Sequence, residues 1–96
     1  MSTILGLPFD TFRLEGTNFP DNPGVYVITT SQEWIDVGET DKLGQRLAIH
    51  ERKPCWEKNS NNLTLWVNLK YIENQQERLN LESRIRQNLD FCCGDK

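Results

Sequence analysis

Two short apolar runs, separated by three polar residues near residue 32, predict two β-strands joined by a short turn. Residues Val25–Thr30 are β-branched and aromatic, as is typical of a strand, and a similar run follows at Trp34–Val37. The three polar residues between these runs are too few for a crossover connection, so we expect the strands to pair antiparallel. The turn-forming sequence DNPG at Asp21–Gly24 starts the first strand, and Gly38 is expected to end the second.

The spacing of apolar residues changes after residue 40 and predicts a helix. Leu43 and Leu47 lie four positions apart, so they would share the buried side of this helix. Thr40 or Asp41 can cap its first turn, and Pro54 is expected to end it. Three polar residues with the same spacing would form a separate row along the helix: Lys42, Arg46 and His50.

The second half of the chain predicts a loop, a third strand and a second helix. The loop covers the polar, asparagine-rich residues Cys55–Leu63, and the strand covers the alternating residues Thr64–Ile72. The composition of Glu73–Leu89 favours a helix, and Asp90–Lys96 would form a short tail. The core face of the helix is marked by Leu81, Ile85 and Leu89.

Together these elements predict one α+β domain over residues 1–96. Residues 1–22 contain several prolines and glycines, so we expect an irregular lead-in that packs on the core, with room for a short strand near Thr11–Leu14. The order of elements over residues 23–93 is β-β-α-β-α. This order corresponds to a small three-stranded antiparallel sheet flanked by helices.

Composition and charge narrow the class of protein. A length of 96 residues allows one modest core, and 36% hydrophobic with 26% charged residues is typical of a soluble globular domain. The net charge of −3 means that any contact with nucleic acid must come from a local basic patch. We expect no membrane span and no secretory signal. Three cysteines do not suit a disulfide framework, so we expect unpaired thiols in a reducing cytoplasm: Cys55, Cys92 and Cys93.

A local excess of basic residues lies in the centre of the chain. Two acidic residues accompany five basic ones: Lys42, Arg46, Arg52, Lys53 and Lys58. Together with the ring of Trp56, they predict a surface that follows a phosphate backbone and stacks on a base. A solvated helix end and loop is the alternative interpretation of the same residues.

Four short segments resemble the GIY-YIG nucleases, and they occur in the order that this family has. The sequence GVY at Gly24–Tyr26 is similar to the first name-giving motif, and DVG at Asp36–Gly38 stands in the place of the second. The segment with Arg46 and His50 resembles the family's arginine-bearing helix. Glu82 lies in a segment similar to the glutamate-bearing helix, so the resemblance covers nearly the whole chain.

The resemblance implies a small metal-dependent endonuclease that hydrolyses DNA phosphodiester bonds. Arg46 would bind the phosphate, Tyr26 would orient or deprotonate the attacking water, and His50 would assist proton movement. Glu82 would bind one divalent ion, Mg²⁺ or Mn²⁺, which neutralises charge on the phosphate. The substrate backbone would be contacted by Lys42, Arg52 and Lys53. A protein partner or a homodimer would supply target specificity.

Two positions depart from the family pattern. Asp36 replaces the family's second tyrosine, and Glu39 stands where a lysine is frequent. An acid beside a phosphodiester is unfavourable, because like charges repel at short range. These substitutions favour a second hypothesis, in which the same fold serves as a nucleic-acid-binding or protein-interaction module without turnover. A chance match of an unrelated α+β fold is the third hypothesis.

The candidate residues also have structural interpretations. Glu82 lies four positions from both Arg78 and Arg86, as in an exposed ion-pair ladder along a helix. Tyr26 in a strand is typical of core packing, and His50 near a helix end would favour the helix dipole. A zinc site built from His50 and the three cysteines is a further hypothesis, although the spacing lacks a Cys-x-x-Cys pair.

Overall fold

Residues 2–94, which the computed structural model describes, form a five-stranded antiparallel sheet and three helices. The predicted α+β class is confirmed, whereas the predicted three-stranded sheet was too small. The elements are β1 (Ser2–Ile4), β2 (Leu7–Arg13), β3 (Gly24–Thr29), β4 (Trp34–Thr40), α1 (Leu43–Ala48), α2 (Lys53–Asn59), β5 (Trp66–Tyr71) and α3 (Gln75–Asn88). The strand order β1-β2-β5-β3-β4 places β1 and β4 at the edges of the sheet.

The predicted irregular lead-in is instead a β-hairpin that widens the sheet. Leu5 and Gly6 both have positive φ, 50° and 80°, which is characteristic of a two-residue hairpin turn. β2 then pairs with β5, where Thr11 lies opposite Asn68. The short strand expected near Thr11–Leu14 overlaps the end of β2, but the hairpin itself was not predicted, because a leucine at positive φ is uncommon and gives no turn signal in the sequence. Two side chains of the hairpin are buried in the core: Ile4 and Phe9.

Strand β4 continues through Gly38 instead of ending there. Gly38 pairs with Tyr26 of β3, and two positions earlier Asp36 pairs with Ile28. The register then shifts, and Ile35 is the extra residue of a β-bulge. Because paired residues point to the same side of a sheet, Asp36 and Tyr26 share the face that α1 and α2 cover.

The single helix predicted after residue 40 is in fact two short helices. α1 ends at Ala48, and Pro54 lies in the first turn of α2, where its missing N–H would have no partner anyway. The loop predicted at Cys55–Leu63 was therefore wrong for its first residues, since Pro54 begins a helix rather than ending one. His50 is buried between the two helices, so it does not extend a polar row from Arg46 along α1.

The first turn of α1 is capped by the loop before β3, not by the side chains that the sequence suggested. The Asp21 carboxylate accepts a hydrogen bond from the Gln45 N–H at 2.8 Å. Gly44 allows the loop to come close, because a Cβ atom there would be 2.3 Å from the carbonyl oxygen of Phe19. This contact fixes the direction of α1 and therefore the position of Arg46.

Strand β3 supplies side chains to two core layers. Val25 and Val27 pack in the layer under α3, whereas Tyr26 and Ile28 pack in the layer under α1 and α2. A strand covered on both faces reads as a continuous apolar run, which explains why β3 was recognisable from the sequence.

Helix α3 begins with an N-cap and covers the layer of β3 valines. The Asn74 side chain accepts a hydrogen bond from the Glu77 N–H at 2.9 Å. The predicted core face is confirmed for Leu81 and Ile85, which are buried, and Leu89 packs on the same layer while partly exposed. Among residues 2–94, no helix is long and apolar enough to cross a membrane.

The residues after α3 lie along β4 and are joined to α2 by a disulfide. The N–H groups of Cys92 and Cys93 donate to the carbonyls of Trp34 and Ile35 at 3.2 and 2.9 Å. Cys93 is bonded to Cys55, so the expectation of unpaired thiols was wrong for this pair, while Cys92 is free and exposed. The segment therefore covers part of an otherwise open sheet edge.

Candidate active site

The candidate site is built around the side chain of Tyr26. Tyr26 is 1% exposed and packs in the layer that contains Leu43 and Trp56. Its ring lies directly against Gly38, where a Cβ atom would be 2.2 Å from the tyrosine hydroxyl oxygen. Gly38 is therefore needed for packing, because any side chain there would displace the tyrosine.

His50 makes a buried hydrogen bond with Tyr26, and its other ring nitrogen fixes the tautomer. The His50 Nε2 to Tyr26 Oη distance is 2.6 Å, and His50 Nδ1 accepts a hydrogen bond from the Arg52 backbone N–H at 3.1 Å. Burial, followed by the charges of Arg46 and Arg52, lowers the pKa of His50 to about 4. A neutral imidazole whose Nδ1 is an acceptor carries its proton on Nε2. His50 therefore donates to Tyr26.

This arrangement leaves the hydroxyl proton of Tyr26 free to bond elsewhere. Because its oxygen accepts from His50, the tyrosine does not donate to that ring. Burial raises the pKa of Tyr26, and the neighbouring guanidinium groups of Arg46 and Arg52 oppose this shift. The hydroxyl is thus a neutral donor whose deprotonated form would be stabilised by one N–H group and nearby positive charge.

Arg46 presents its planar fork to a carboxylate. Its two terminal nitrogens donate to the two oxygens of Glu51, each at 3.1 Å. This ion pair is largely exposed. The hydrogen bond with Glu51 is the main reason that the pKa of the Arg46 guanidinium is raised above its ordinary value. The same fork matches a phosphate as well as a carboxylate. An exposed pair contributes little stability, so a competing anion can displace Glu51.

A shallow groove of about 340 Å³ runs beside the first turn of α1. Lys42 and Arg46 both line it, so one predicted substrate-binding residue and one predicted catalytic residue share this surface. The 84% exposed side chain of Ile49 forms an apolar wall of the same groove. The remaining lining residues are Thr40, Asp41 and Gln45.

Asp36 is fully buried and has four hydrogen-bond donors. Arg52 Nε and Trp56 Nε1 donate to its Oδ2 at 2.6 and 2.7 Å. Its Oδ1 accepts from Arg86 at 2.7 Å and from the Val37 backbone N–H at 2.8 Å. We call Asp36, Arg52, Trp56 and Arg86 the Asp36 cluster. Because two guanidinium groups face one carboxylate, the cluster carries no excess negative charge towards a phosphate.

The second acidic departure, Glu39, is neutralised in a similar way. Arg78 Nε donates to Glu39 Oε2 at 2.9 Å, and both side chains are mostly buried. Arg78 also donates to the carbonyls of Ile72 and Glu73, which hold its guanidinium in place. The acids in the two departing positions therefore belong to ion pairs on opposite faces of β4.

The predicted metal ligand Glu82 lies on α3, and its carboxylate has no ion pair or hydrogen bond within residues 2–94. The suggested ladder does not form, because Arg78 bonds Glu39 and Arg86 bonds Asp36. Glu82 is partly buried, and burial raises the pKa of its carboxyl group, while the charge of Arg86 opposes this shift and Glu39 adds to it. A half-buried carboxylate without a partner is a ready ligand for a cation.

The structure brings three of the four predicted catalytic residues together, whereas Glu82 comes from a different layer. Tyr26 and His50 share a hydrogen bond, and the positive charge of Arg46 acts on both of them. Tyr26 packs in the core layer of α1 and α2, while α3, which carries Glu82, covers the other core layer.

Other predicted contacts are used within the protein. Arg52 bonds Asp36, and Trp56 is fully buried, so Trp56 does not offer a ring for base stacking. Lys53 donates to the carbonyl of Ala48 at 2.8 Å and lines a groove on the other side of α2. These three residues therefore bond other parts of the protein and do not line the groove beside α1.

The donors available for metals are few. No group of three or more His, Cys, Asp or Glu side chains that suits a metal ion occurs in residues 2–94. A single carboxylate such as that of Glu82 is sufficient for Mg²⁺, because this ion is commonly held by one or two carboxylates together with waters and substrate phosphate. The zinc hypothesis does not fit, because Cys55 and Cys93 form a disulfide and both His50 ring nitrogens are hydrogen-bonded.

The sequence contained a partial signal for the Asp36 cluster. An acid inside an apolar strand requires a buried cation, and Arg78 and Arg86 lie on α3 near the apolar positions Leu81 and Ile85. Which arginine reaches which acid depends on where the helix crosses the strands, and the sequence does not give that position.

Comparisons with known proteins were negative at all three levels. No protein-family model, no curated protein and no solved structure matches the chain. The geometry of the described residues is therefore what supports an assignment.

Proposed function

We propose that the chain is a metal-dependent endonuclease domain of the GIY-YIG type, which hydrolyses DNA phosphodiester bonds. The observation that most supports this proposal is the buried hydrogen bond between His50 and Tyr26. It leaves the proton of the tyrosine hydroxyl available next to Arg46. Core packing explains the burial of an aromatic ring, but a phenylalanine would pack without this polar pair. The unpartnered Glu82 carboxylate gives further support.

Each residue has a role that follows from its contacts. Arg46 exchanges Glu51 for a phosphate group and holds it bidentately. Tyr26 orients the attacking water with its neutral hydroxyl, whose oxygen accepts a hydrogen bond from the His50 N–H. Glu82 would hold a divalent ion, which when bound neutralises charge on the phosphate oxygens. Lys42 extends the contact along the DNA backbone in the groove beside α1.

Substrate specificity calls for more surface than this site offers. The groove beside α1 is shallow and holds two basic residues, Lys42 and Arg46. Two phosphate contacts provide affinity but carry no sequence information. A protein partner or a second copy of the chain would supply the selection of targets.

The test is nicking of supercoiled plasmid DNA with Mg²⁺ or Mn²⁺. We expect the Glu82→Ala variant to lose activity by at least about 100-fold, since a bound ion contributes several kcal/mol to the transition state. Glu77→Ala is the matched control, because Glu77 is an exposed acid on the same helix. Equal nicking by the wild type and by Glu82→Ala would refute the proposal.

A binding module without turnover is the second candidate. The observation that favours it is the Glu51 carboxylate, which occupies the fork of Arg46. In that case no divalent ion would support nicking, while DNA retention would still weaken in Arg46→Ala. Retention that is unchanged in Arg46→Ala would exclude this function too.

A further inference from the structure

A closed ring of contacts surrounds the buried carboxylate of Asp36. Arg52 and Trp56 of α2 bond one of its oxygens, and Arg86 of α3 bonds the other. The disulfide between Cys55 and Cys93 completes the ring, because Arg86 also donates to the Cys93 carbonyl at 3.0 Å. The bridge therefore joins α2 to the segment after α3, which Arg86 in turn contacts.

The disulfide lies close to the hydrogen bonds that orient the candidate site. Cys55 directly precedes Trp56 and follows Arg52 by three positions on the chain. The Arg52 N–H donates to His50 Nδ1, and the His50 Nε2–H bonds Tyr26. A shift of α2 would consequently disturb the Asp36 cluster and the tautomer of His50 together.

The two sulfur atoms differ in accessibility. Cys93 is 2% exposed, whereas Cys55 is only partly buried. An external thiolate would therefore attack the sulfur of Cys55 and release the thiolate of Cys93. A second external thiolate then attacks the sulfur of the first and displaces the thiolate of Cys55, which leaves two protein thiols and one oxidised small disulfide.

We propose that the disulfide between Cys55 and Cys93 is a redox switch that holds the Asp36 cluster closed and thereby keeps His50 oriented towards Tyr26. Oxidation by a small disulfide closes the ring, and reduction by a small dithiol opens it. Reduction frees α2 from the segment along β4, so that water reaches the Asp36 cluster. This inference stands on the contacts of the cluster and does not require that the protein cleaves DNA.

The test compares oxidised with dithiothreitol-reduced protein by thiol titration and NMR. We expect the number of titratable thiols to rise from one to three, in agreement with one free cysteine and one bridge. The indole N–H of Trp56, assigned with Trp56→Phe, should exchange with solvent at least about tenfold faster after reduction, because local opening exposes it. The exchange rate of the Arg52 backbone N–H should rise in the same way.

Two variants serve as controls. Cys92→Ser keeps the bridge and should show the same contrast between oxidised and reduced protein. Cys55→Ser lacks the bridge and should behave as reduced protein without any reductant. Three titratable thiols in protein treated with oxidised glutathione would overturn the proposal, as would an indole exchange rate that reduction leaves unchanged. Neither outcome depends on nicking activity, so failure here is distinct from failure of the proposed function.

Discussion

Tyr26 of β3 and Asp36 of β4 lie on the same face of the sheet, yet their polar atoms are used differently. Both oxygens of Asp36 are occupied by donors from α2, α3 and the backbone. In the hydrogen-bonded pair of Tyr26 and His50, the histidine uses both nitrogens, while the hydroxyl proton of Tyr26 remains available. A saturated group stabilises a structure, whereas an available proton can take part in a reaction.

This difference assigns separate tasks to the two name-giving motifs of the resemblance. The first motif keeps its tyrosine and can supply the chemistry. The second has an acid, Asp36, at the position of the tyrosine, and this acid links α2 and α3 to β4. Its glycine, Gly38, still serves the first motif by making room for Tyr26. Asp36 is thus a structural residue whose charge is paired within the protein.

Removing the charge of the cluster should have the largest effect on stability. Asp36→Asn leaves Arg52 and Arg86 without their carboxylate, and breaking a buried ion pair costs about 3–5 kcal/mol. Urea unfolding should show this loss in the free energy of unfolding. The control Asp10→Asn, at an exposed strand position, should stay within about 0.5 kcal/mol of the wild type. Equal stability of the two variants would show that the cluster does not hold the fold.

Crowding the tyrosine should have a smaller effect on stability and a clear effect on the pair. In Gly38→Ala the new methyl group would clash with the Tyr26 hydroxyl, so the ring must move. We expect a loss of about 1–3 kcal/mol, as for other overpacked cores, together with loss of the bond to His50. The imidazole resonances report the second effect, and unchanged resonances would contradict the packing role of Gly38.

A third effect is a pH dependence that comes from His50 and that is spread over the range between its two pKa values. Its pKa in the folded state is about 4, below the ordinary value of 6.5, so the unfolded chain binds the proton first as the pH falls. The contribution to stability is therefore complete above pH 6.5 and is lost as the pH falls towards 4, with a slope of up to about 1.4 kcal/mol per pH unit.

Unfolding measured at several pH values, with His50→Gln as the reference, isolates this contribution from that of the carboxylates. His50 is the one histidine of the chain, so its ring titration is also unambiguous. A measured pKa near 6.5 would show that the ring is not buried beside Tyr26 in solution.

The sequence predicted the parts of the fold whose signals are local. β3 and α3 were predicted nearly at their bounds, because an apolar run and a helix-favouring composition need no knowledge of distant residues. The sequence gives no signal for the hairpin of β1 and β2, because its turn uses Leu5 at positive φ. Pro54 predicts the end of a helix, but proline also favours the first turn of a helix, where it lies in α2.

The sequence indicated the candidate residues of the site, but it did not indicate which residues they would bond. The motif pattern indicated Tyr26, Arg46, His50 and Glu82, but it placed His50 on a helix and left Asp36 unexplained. The ion pairs of Asp36 and the bridge to Cys93 join segments far apart in the chain, and the disulfide alone spans 38 positions. Contacts of this kind depend on the crossing of α3 over β4, which periodicity does not specify.

The most direct test of the central claim compares the two tyrosines of the chain in single-turnover DNA cleavage. Tyr26→Phe keeps the ring and removes the hydroxyl that His50 bonds, whereas Tyr71→Phe removes an exposed hydroxyl away from the site. We predict that Tyr26→Phe lowers the cleavage rate by at least about 100-fold, the usual contribution of a positioned acid or base, and that Tyr71→Phe retains it. Wild-type cleavage by Tyr26→Phe would contradict the claim that the pair of Tyr26 and His50 performs the chemistry.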